Sequence, residues 1–412
     1  MDTRQLHRLR TDLAAFVADL LPDHLGNVTR CRWAEVYLRG LLLDGHRKSI
    51  APMAERLRTI DGSAQDYEQA LQQLINQSPW HDRPVRDSLT RWVLATVGGD
   101  GSVILDDTGF PKQGTCSVGV ARQYSGTLGK VGNCQVAVTL QYATAQEVFA
   151  LDAELYLTEE WGSDRPRLEA VGVPEDIGYR PKWQIGLTLL ERAKGNGLSG
   201  TVLADSAYGD TTEFRKALDD AGWRYCVGIS STLKVVAADH DFGRVRPYRG
   251  QGRPPSRPAN VRAGATAPSV KEWAQARANE FRRVTWREGT KGKLSSRFAA
   301  WRVRPAHRLS AGQEPLAECW LVVEWPEGEA EPTKYFFSNL PADTALRQLV
   351  RTAKGRWWVE HSYKELKDEL GLDHFEGRGW RGWHHHVTLV LLAYAFVVLR
   401  RRHRRKKGVA RA

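Results

Sequence analysis

Cysteine is scarce in this chain. The five cysteines of its 412 residues, Cys31, Cys116, Cys134, Cys226 and Cys319, are scattered and never form a C-x-x-C pair. That argues against a disulfide framework and against a cysteine zinc site, and fits a reducing, cytoplasmic setting. Long apolar runs are also missing. The longest, from Val387 to Leu399, is 13 residues, short of the roughly 20 needed to cross a bilayer. It predicts a buried core helix and no membrane partner. The amino-terminal stretch "MDTRQLHRLRTDLAAFV" is charged and helical and lacks a signal-peptide layout. There are no internal repeats. Acidic side chains are in deficit, 48 against 60 Lys and Arg, which leaves a formal charge of +12 and a pI near 9.5. Such an excess favours a polyanionic partner.

What remains is the composition of a globular protein, 42% hydrophobic and 26% charged, at a length that predicts two or three folding units. Residues 1–98 space their apolar side chains at helical intervals in "LRTDLAAFVADLL", "WAEVYLRGLLLDG", "SIAPMAERL", "YEQALQQLI" and "PVRDSLTRWVLATV". They predict a helical domain suited to binding DNA, with Ser49 as an N-cap. From residue 99 the pattern turns to strands in "SVILDD", "CSVGVARQYS", "CQVAVTLQYAT" and "EVFALDAELYL". It then alternates helix and strand through "PKWQIGLTLLERAKGNG", "GTVLAD", "TEFRKALDDAG" and "RYCVGI". The order β-β-β-α-β-α-β over residues 99–231 predicts an α/β, ribonuclease H-like core. Residues 232–338 interrupt it. A Pro-, Gly- and Arg-rich loop at 248–269 precedes four further strand patterns, which predict a β-rich insertion. Residues 339–399 return to helix, and 400–412 form a basic tail expected to be solvated and frayed.

Three acidic positions carry the chemistry. Asp106 and Asp107 follow the apolar run "SVIL", Asp205 follows "GTVLA", and Glu360 lies in the helical stretch "KGRWWVEHSYKELKDEL". Strand-end aspartates and a helical glutamate can converge into an oxygen-only cage for two divalent ions. Such a cage performs phosphodiester chemistry. Neighbouring strand residues point to opposite faces, so one of Asp106 and Asp107 is expected to reach the metal. The residue before Thr108, Asp107, is the favoured one, with Asp106 kept open. Asp210 is expected to cap the helix at "TTEF", which releases Asp205 for chemistry. At 100° per residue, Arg356, Glu360, Lys364 and Lys367 share a stripe beside an apolar one of Val359, Tyr363, Leu366 and Leu370. The three cations are expected to hold DNA phosphates. The consecutive His384, His385 and His386 lack zinc-ligand spacing and are read as structural or phosphate-facing.

The segments "VILDDTGFPKQG", "QVAVTLQYA", "RLEAVGVPEDIGYRPKWQIGLTLLERA", "VLADSAYGD" and "RWWVEHSYKELKDELGLDHFEGRGWRGWHHHVTLVLLAYAF" run through almost the whole chain. Together they resemble the DDE transposases of bacterial insertion sequences, in the insertion-sequence-701 group. The resemblance implies a catalytic set of Asp107, Asp205 and Glu360 and two Mg2+ ions, with Mn2+ as a substitute. It also implies cut-and-paste transposition and double-stranded DNA partners, namely terminal inverted repeats and target DNA. A homodimer on DNA and residence at the bacterial nucleoid are expected with it. The related motif Y-x2-R-x3-E-x6-K is met by Arg356, Glu360 and Lys367, but its tyrosine position is Ala353. Trp286, Trp301, Trp320 and Trp325 are candidates for holding a flipped base. The alternatives are a catalytically inactive DNA-binding regulator and a ribonuclease H-like nuclease without strand transfer.

Overall fold

The computed structural model describes residues 3–62, 64–99, 101–240, 250, 267–289, 292–306 and 316–409. Most of the loop expected at 248–269 and the end of the tail lie outside them. The chain divides into two compact units, residues 1–200 with 357–412, and residues 201–356. The first division falls inside the segment expected to open the core.

In the first unit, helices α1 (Thr3–Leu20), α2 (Pro22–Leu25), α3 (Val28–Leu42), α4 (Ile50–Asp61), α5 (Tyr67–Gln72) and α6 (Asp82–Val97) precede four strands. Asn27 and Asp66 start α3 and α5 by accepting the Arg30 and Gln69 N–H groups. Ser49 stands at the N-cap of α4 as expected, without a side-chain cap bond. The strands are β1 (Ser102–Pro111), β2 (Ala121–Ser125), β3 (Lys130–Ala143) and β4 (Val148–Tyr156). β3 pairs antiparallel with each of the other three. The strand expected from residue 116 begins only at Ala121, because Gly119 takes φ 70°, outside extended backbone. Helices α7 (Glu159–Gly162), α8 (Arg165–Ala170) and α9 (Lys182–Gly195) follow.

The second unit holds β5 (Thr201–Ala204), α10 (Ser206–Gly209), α11 (Thr212–Asp220), β6 (Arg224–Ile229) and β7 (Val235–Ala237). After these come α12 (Val270–Gln275), β8 (Arg282–Gly289), β9 (Gly292–Pro305), β10 (Cys319–Glu324), β11 (Lys334–Ser338) and α13 (Leu346–Ala353). β5 and β6 are parallel, as two strands joined by a helical crossover must be. β11 then pairs with β6, and the order runs β5-β6-β11-β10-β9-β7, with β8 on β9. The strands expected as an insertion therefore extend the sheet that β6 begins. Val284, Phe298, Val322, Leu349 and Val350 form a core under them, with Trp286 and Trp320 packed against it.

The chain returns to the first unit through α14 (Trp358–Lys364), a π-helical turn (Glu365–Glu369) and α15 (Trp380–Val409). Among the described residues, α15 is the one helix long and apolar enough to cross a membrane, and 89% of its apolar window is buried in the protein. It is the expected core helix, starting four residues earlier than the sequence suggested. The expected frayed tail is corrected: residues 400–409 continue the helix. Its arginines are held by acids, with Arg400 on Asp12, Arg401 on Glu365 and Arg402 on Glu147.

The histidine triplet is structural. His385 lies between the Ile75 and Trp80 carbonyls at 2.8 and 2.9 Å and stacks on the Trp80 ring. His386 lies between the Tyr37 hydroxyl (2.7 Å) and the Gly371 carbonyl (3.0 Å). With Nε2–H donating to Gly371, Nδ1 accepts from Tyr37, an arrangement that requires the neutral ring. Burial pushes the His386 pKa down to about 4. An unfolded histidine binds its proton near pH 6.5, so stability is full above that pH and falls as pH drops toward 4. Between pH 7 and 5 the fold is expected to lose about 2 kcal/mol through this ring. Urea unfolding followed by tryptophan fluorescence checks it: the His386→Gln variant should show a pH dependence shallower by that amount.

Candidate active site

β1 does not end at the acidic pair. Asp106 and Asp107 are mid-strand, paired with Thr139 and Val138, and the ladder continues to Pro111 opposite Cys134. The strand expected to end at the aspartates thus runs on through "TGFP". Gly109 is what permits it: a Cβ there would collide with the Ser125 side chain, which the β2–β3 hairpin folds against β1.

This register separates the two aspartates. Directly opposed residues of an antiparallel pair share a face. Thr139, opposite Asp106, shares a hydrogen bond of 2.6 Å with the Tyr363 hydroxyl of α14. Two residues along, the α14 hydroxyl of Ser362 donates to Gln141 at 2.5 Å. Asp106 therefore lies on the sheet face that α14, the helix of Glu360, covers. Asp107 lies on the other face. Its carboxylate takes the Lys182 ammonium at the start of α9 at 2.6 Å, and Lys182 also stands 5.4 Å from the Tyr156 ring centre. Glu154, on that same face, is held by Arg192 and Arg180 at 2.9 and 2.6 Å. Asp106 Oδ1 accepts the backbone N–H of Asp107 at 2.9 Å. The preference for Asp107 thus meets an ion pair on the face away from α14.

Asp205 belongs to the second unit. It ends β5 and caps α10, its Oδ1 accepting the Ala207 N–H at 3.0 Å. The expectation that Asp210 would take over as cap is corrected. Asp210 accepts the Ser230 N–H at 2.7 Å, and Thr211 stands at the N-cap of α11. Capping engages one oxygen of Asp205. Its helix sits close on β6 because neither Gly209 nor Gly228 carries a Cβ at that contact.

Glu360 is exposed in the first turn of α14. The stripe drawn around it fails at both ends. Arg356 lies in a 3-10 turn (Lys354–Trp357), and beyond Lys364 the helix widens into the π turn. A π turn takes more residues than 3.6, so positions past it rotate away from the sequence-derived stripe. Lys364 remains exposed, but Lys367 turns inward. It is buried and donates to the Gly109 carbonyl and the Thr127 hydroxyl, both at 2.8 Å. Burial pushes its pKa below the ordinary lysine value, against the pull of Asp373 and Asp368. Lys367 is a brace between the Glu360 helix and β1 rather than a phosphate contact. Sequence periodicity cannot reveal it, because the local helix is not α.

Among the described residues, no group of three His, Cys, Asp or Glu side chains is gathered closely enough to hold a metal ion. The tryptophans of the second unit are engaged within it. Trp286 packs edge-on to Phe298, and Trp301, Trp320 and Trp325 donate their N–H groups to Glu280, the Pro341 carbonyl and the Glu329 carbonyl. Trp320 also lines a cavity of about 380 Å3 with Arg282 and Leu349.

The family described as DDE superfamily endonuclease matches residues 20–293. That is well over half of the chain, so the chain belongs to the DDE endonuclease superfamily. A probable transposase for insertion sequence element IS701 from Microchaete diplosiphon is 25% identical over 341 residues, 82% of this chain and 74% of the relative. The chain is thus an enzyme of the DDE endonuclease superfamily that is similar to an IS701 transposase. A piggyBac transposase, solved by cryo-EM as a synaptic complex with hairpin DNA, aligns over 93% of this chain and 67% of its own with a TM-score of 0.43 and 9% identity.

The brace is testable. Lys367→Met should cost about 1.5–3 kcal/mol, as expected for lost hydrogen bonds to a charged group, while leaving affinity for random-sequence duplex DNA unchanged. Chemical denaturation and fluorescence anisotropy read the two. Weakened DNA binding in a variant of undiminished stability would return Lys367 to the phosphate role.

Proposed function

We propose that the chain cleaves DNA at the ends of its insertion sequence and joins the freed ends to target DNA, using Asp106, Asp205 and Glu360 as its acid set on a ribonuclease H-like core. The observation that carries the choice of the first acid is the hydrogen bond between Thr139 and Tyr363, which assigns Asp106 to the α14 face. The family membership supports the rest. The donor chemistry suits hard divalent cations, since all three groups are carboxylates. When bound, a pair of Mg2+ or Mn2+ ions would supply activation of water or a 3′-hydroxyl and charge relief at the leaving oxygen.

The chain's own residues have separable tasks. Asp106, held rigidly within β1, presents its carboxylate from a fixed strand. The cap on α10 fixes the direction of the Asp205 side chain at the end of β5. Glu360 offers an exposed carboxylate at the start of α14, with Lys364 one turn further on as a phosphate contact and Arg356 one turn before. Asp107 and Lys182 are positioning residues: their ion pair anchors β1 to α9 from behind. Double-stranded DNA as partner, action as a homodimer on the two ends, and DNA contacts by the helical residues 1–98 complete the reading.

Asp106→Asn, Asp205→Asn and Glu360→Gln should each lower cleavage of DNA carrying the element's flanking sequences by at least about a thousandfold, some 4 kcal/mol, with binding retained. Asp107→Asn should lose only about tenfold, and Lys182→Met the same, because both act on the same anchor. A nicking assay decides. An active Asp106→Asn enzyme alongside an inactive Asp107→Asn enzyme would hand the role to Asp107.

A further inference from the structure

From Thr108 to Gln146 the chain contains no Asp or Glu, while Lys112, Arg122 and Lys130 lie within this stretch. At its centre is the β2–β3 hairpin. Lys112 is accounted for structurally, half-buried with its ammonium on the Phe375 carbonyl. Arg122 and Lys130 are both exposed, and neither has an ion-pair or hydrogen-bond partner among the described residues. Beside Arg122, on its side of the ribbon, lies an apolar pair that faces solvent: Tyr124 is 63% and Val131 51% exposed, and the two are directly opposed across the ladder, whereas Lys130, opposite Ser125, belongs to the other side. Exposed apolar pairs on a two-stranded ribbon bring no folding stability, and an aromatic beside a cation marks a contact surface.

The ribbon is also fixed in place. Its turn is tied to β1 by the Thr127 hydroxyl accepting the Gly109 N–H at 3.3 Å and to the Glu360 helix by Lys367. Gly109 is three residues from Asp106, about 10 Å along a strand, which is about three base steps of duplex. By alternation, Arg122 and Tyr124 oppose Asn133 and Val131, whose side of β3 is that of Thr139 and hence of Asp106.

We propose that the β2–β3 hairpin is a duplex-DNA contact beside Asp106: Arg122 pairs with a backbone phosphate, and Tyr124 with Val131 packs on the adjoining deoxyribose. This rests on the reading of the chain as a DNA-acting enzyme. It predicts two separable effects on binding of the full-length protein to a random-sequence duplex. Arg122→Ala should reduce the slope of log affinity against log salt by about 1, near 0.9 for one phosphate contact, while Lys130→Ala leaves it unchanged. Tyr124→Ala should weaken binding about five- to tenfold with the slope unchanged. Circular dichroism and melting should match wild type, since these side chains touch no core.

Unchanged affinity and slope in all variants, with wild-type binding intact, would overturn the hairpin contact and leave the enzymatic reading standing. Absence of duplex binding by wild-type protein would overturn both. Sedimentation addresses the other occupant of an open ribbon: variants that bind DNA normally but no longer self-associate would assign the surface to a second copy of the chain and overturn the DNA contact.

Discussion

The alternation of β1, held without slippage against β3, governs everything said of the first acidic position. Two aspartates stand side by side, chemically identical, and a one-residue shift in register would exchange their faces. The register is pinned from both sides. On one, Lys182, Arg180 and Arg192 of the α9 segment hold Asp107 and Glu154. On the other, Ser362 and Tyr363 of α14 hold Gln141 and Thr139. A slipped β1 would carry Asp107 onto the α14 face and present Asp106 to Lys182, losing the apolar burial of Val103, Ile104 and Leu105 in their present positions. The distinction between a reacting carboxylate and an anchoring one is therefore a property of the sheet and not of either side chain.

Buried charge performs a second kind of fixing. Arg86 of α6 is almost wholly enclosed and reaches the Asp152 carboxylate at 2.6 Å. Arg192 joins the same acids from α9. Lys367 crosses from the π turn to a backbone carbonyl of β1. Removing water from such ions is unfavourable, so each is tolerated only where partners fill its coordination. What these contacts provide is direction. A leucine in place of Lys367 would bury as well, but it would allow the α14 segment to slide along β1. A hydrogen-bonded ammonium holds it to Gly109 and Thr127.

Much of this architecture was legible in the sequence, and the failures share causes. The helical residues 1–98, the strands at 102, 148, 201 and 224, and the buried helix around Val387–Leu399 follow from apolar spacing, which burial enforces directly. The first strand was expected to end at the aspartates, whereas pairing with β3 as far as Cys134 carries it through Gly109 to Pro111. The Arg356–Lys367 stripe assumed one helical pitch, and the segment has three, 3-10, α and π. The capping role of Asp205 was not visible because the helix it caps, Ser206–Gly209, is a single turn, too short to show a period. The strands after residue 281 were recognised, but pairing partners are not encoded in spacing, so their union with β6 through β11 was not visible. The choice between Asp106 and Asp107 needed the register.

The basic excess deserves a narrower meaning than a count conveys. Cations whose ion pairs or carbonyl contacts are complete within the fold cannot also neutralise phosphates. Arg400, Arg401 and Arg402 are committed to Asp12, Glu365 and Glu147, Lys182 to Asp107, and Lys112 and Lys367 to backbone carbonyls. The carboxy-terminal arginine run, the most conspicuous basic feature of the sequence, is thereby largely a structural clasp on α15. A net charge of +12 still draws a polyanion from a distance. Contact, however, is made by the cations left over. Those left over on the side of the first acid are Lys364 and, on the proposed reading, Arg122 of the hairpin. Attraction is thus spread over the whole molecule, while grip is confined to a few positions, and it is the second quantity that sets where a phosphodiester comes to rest.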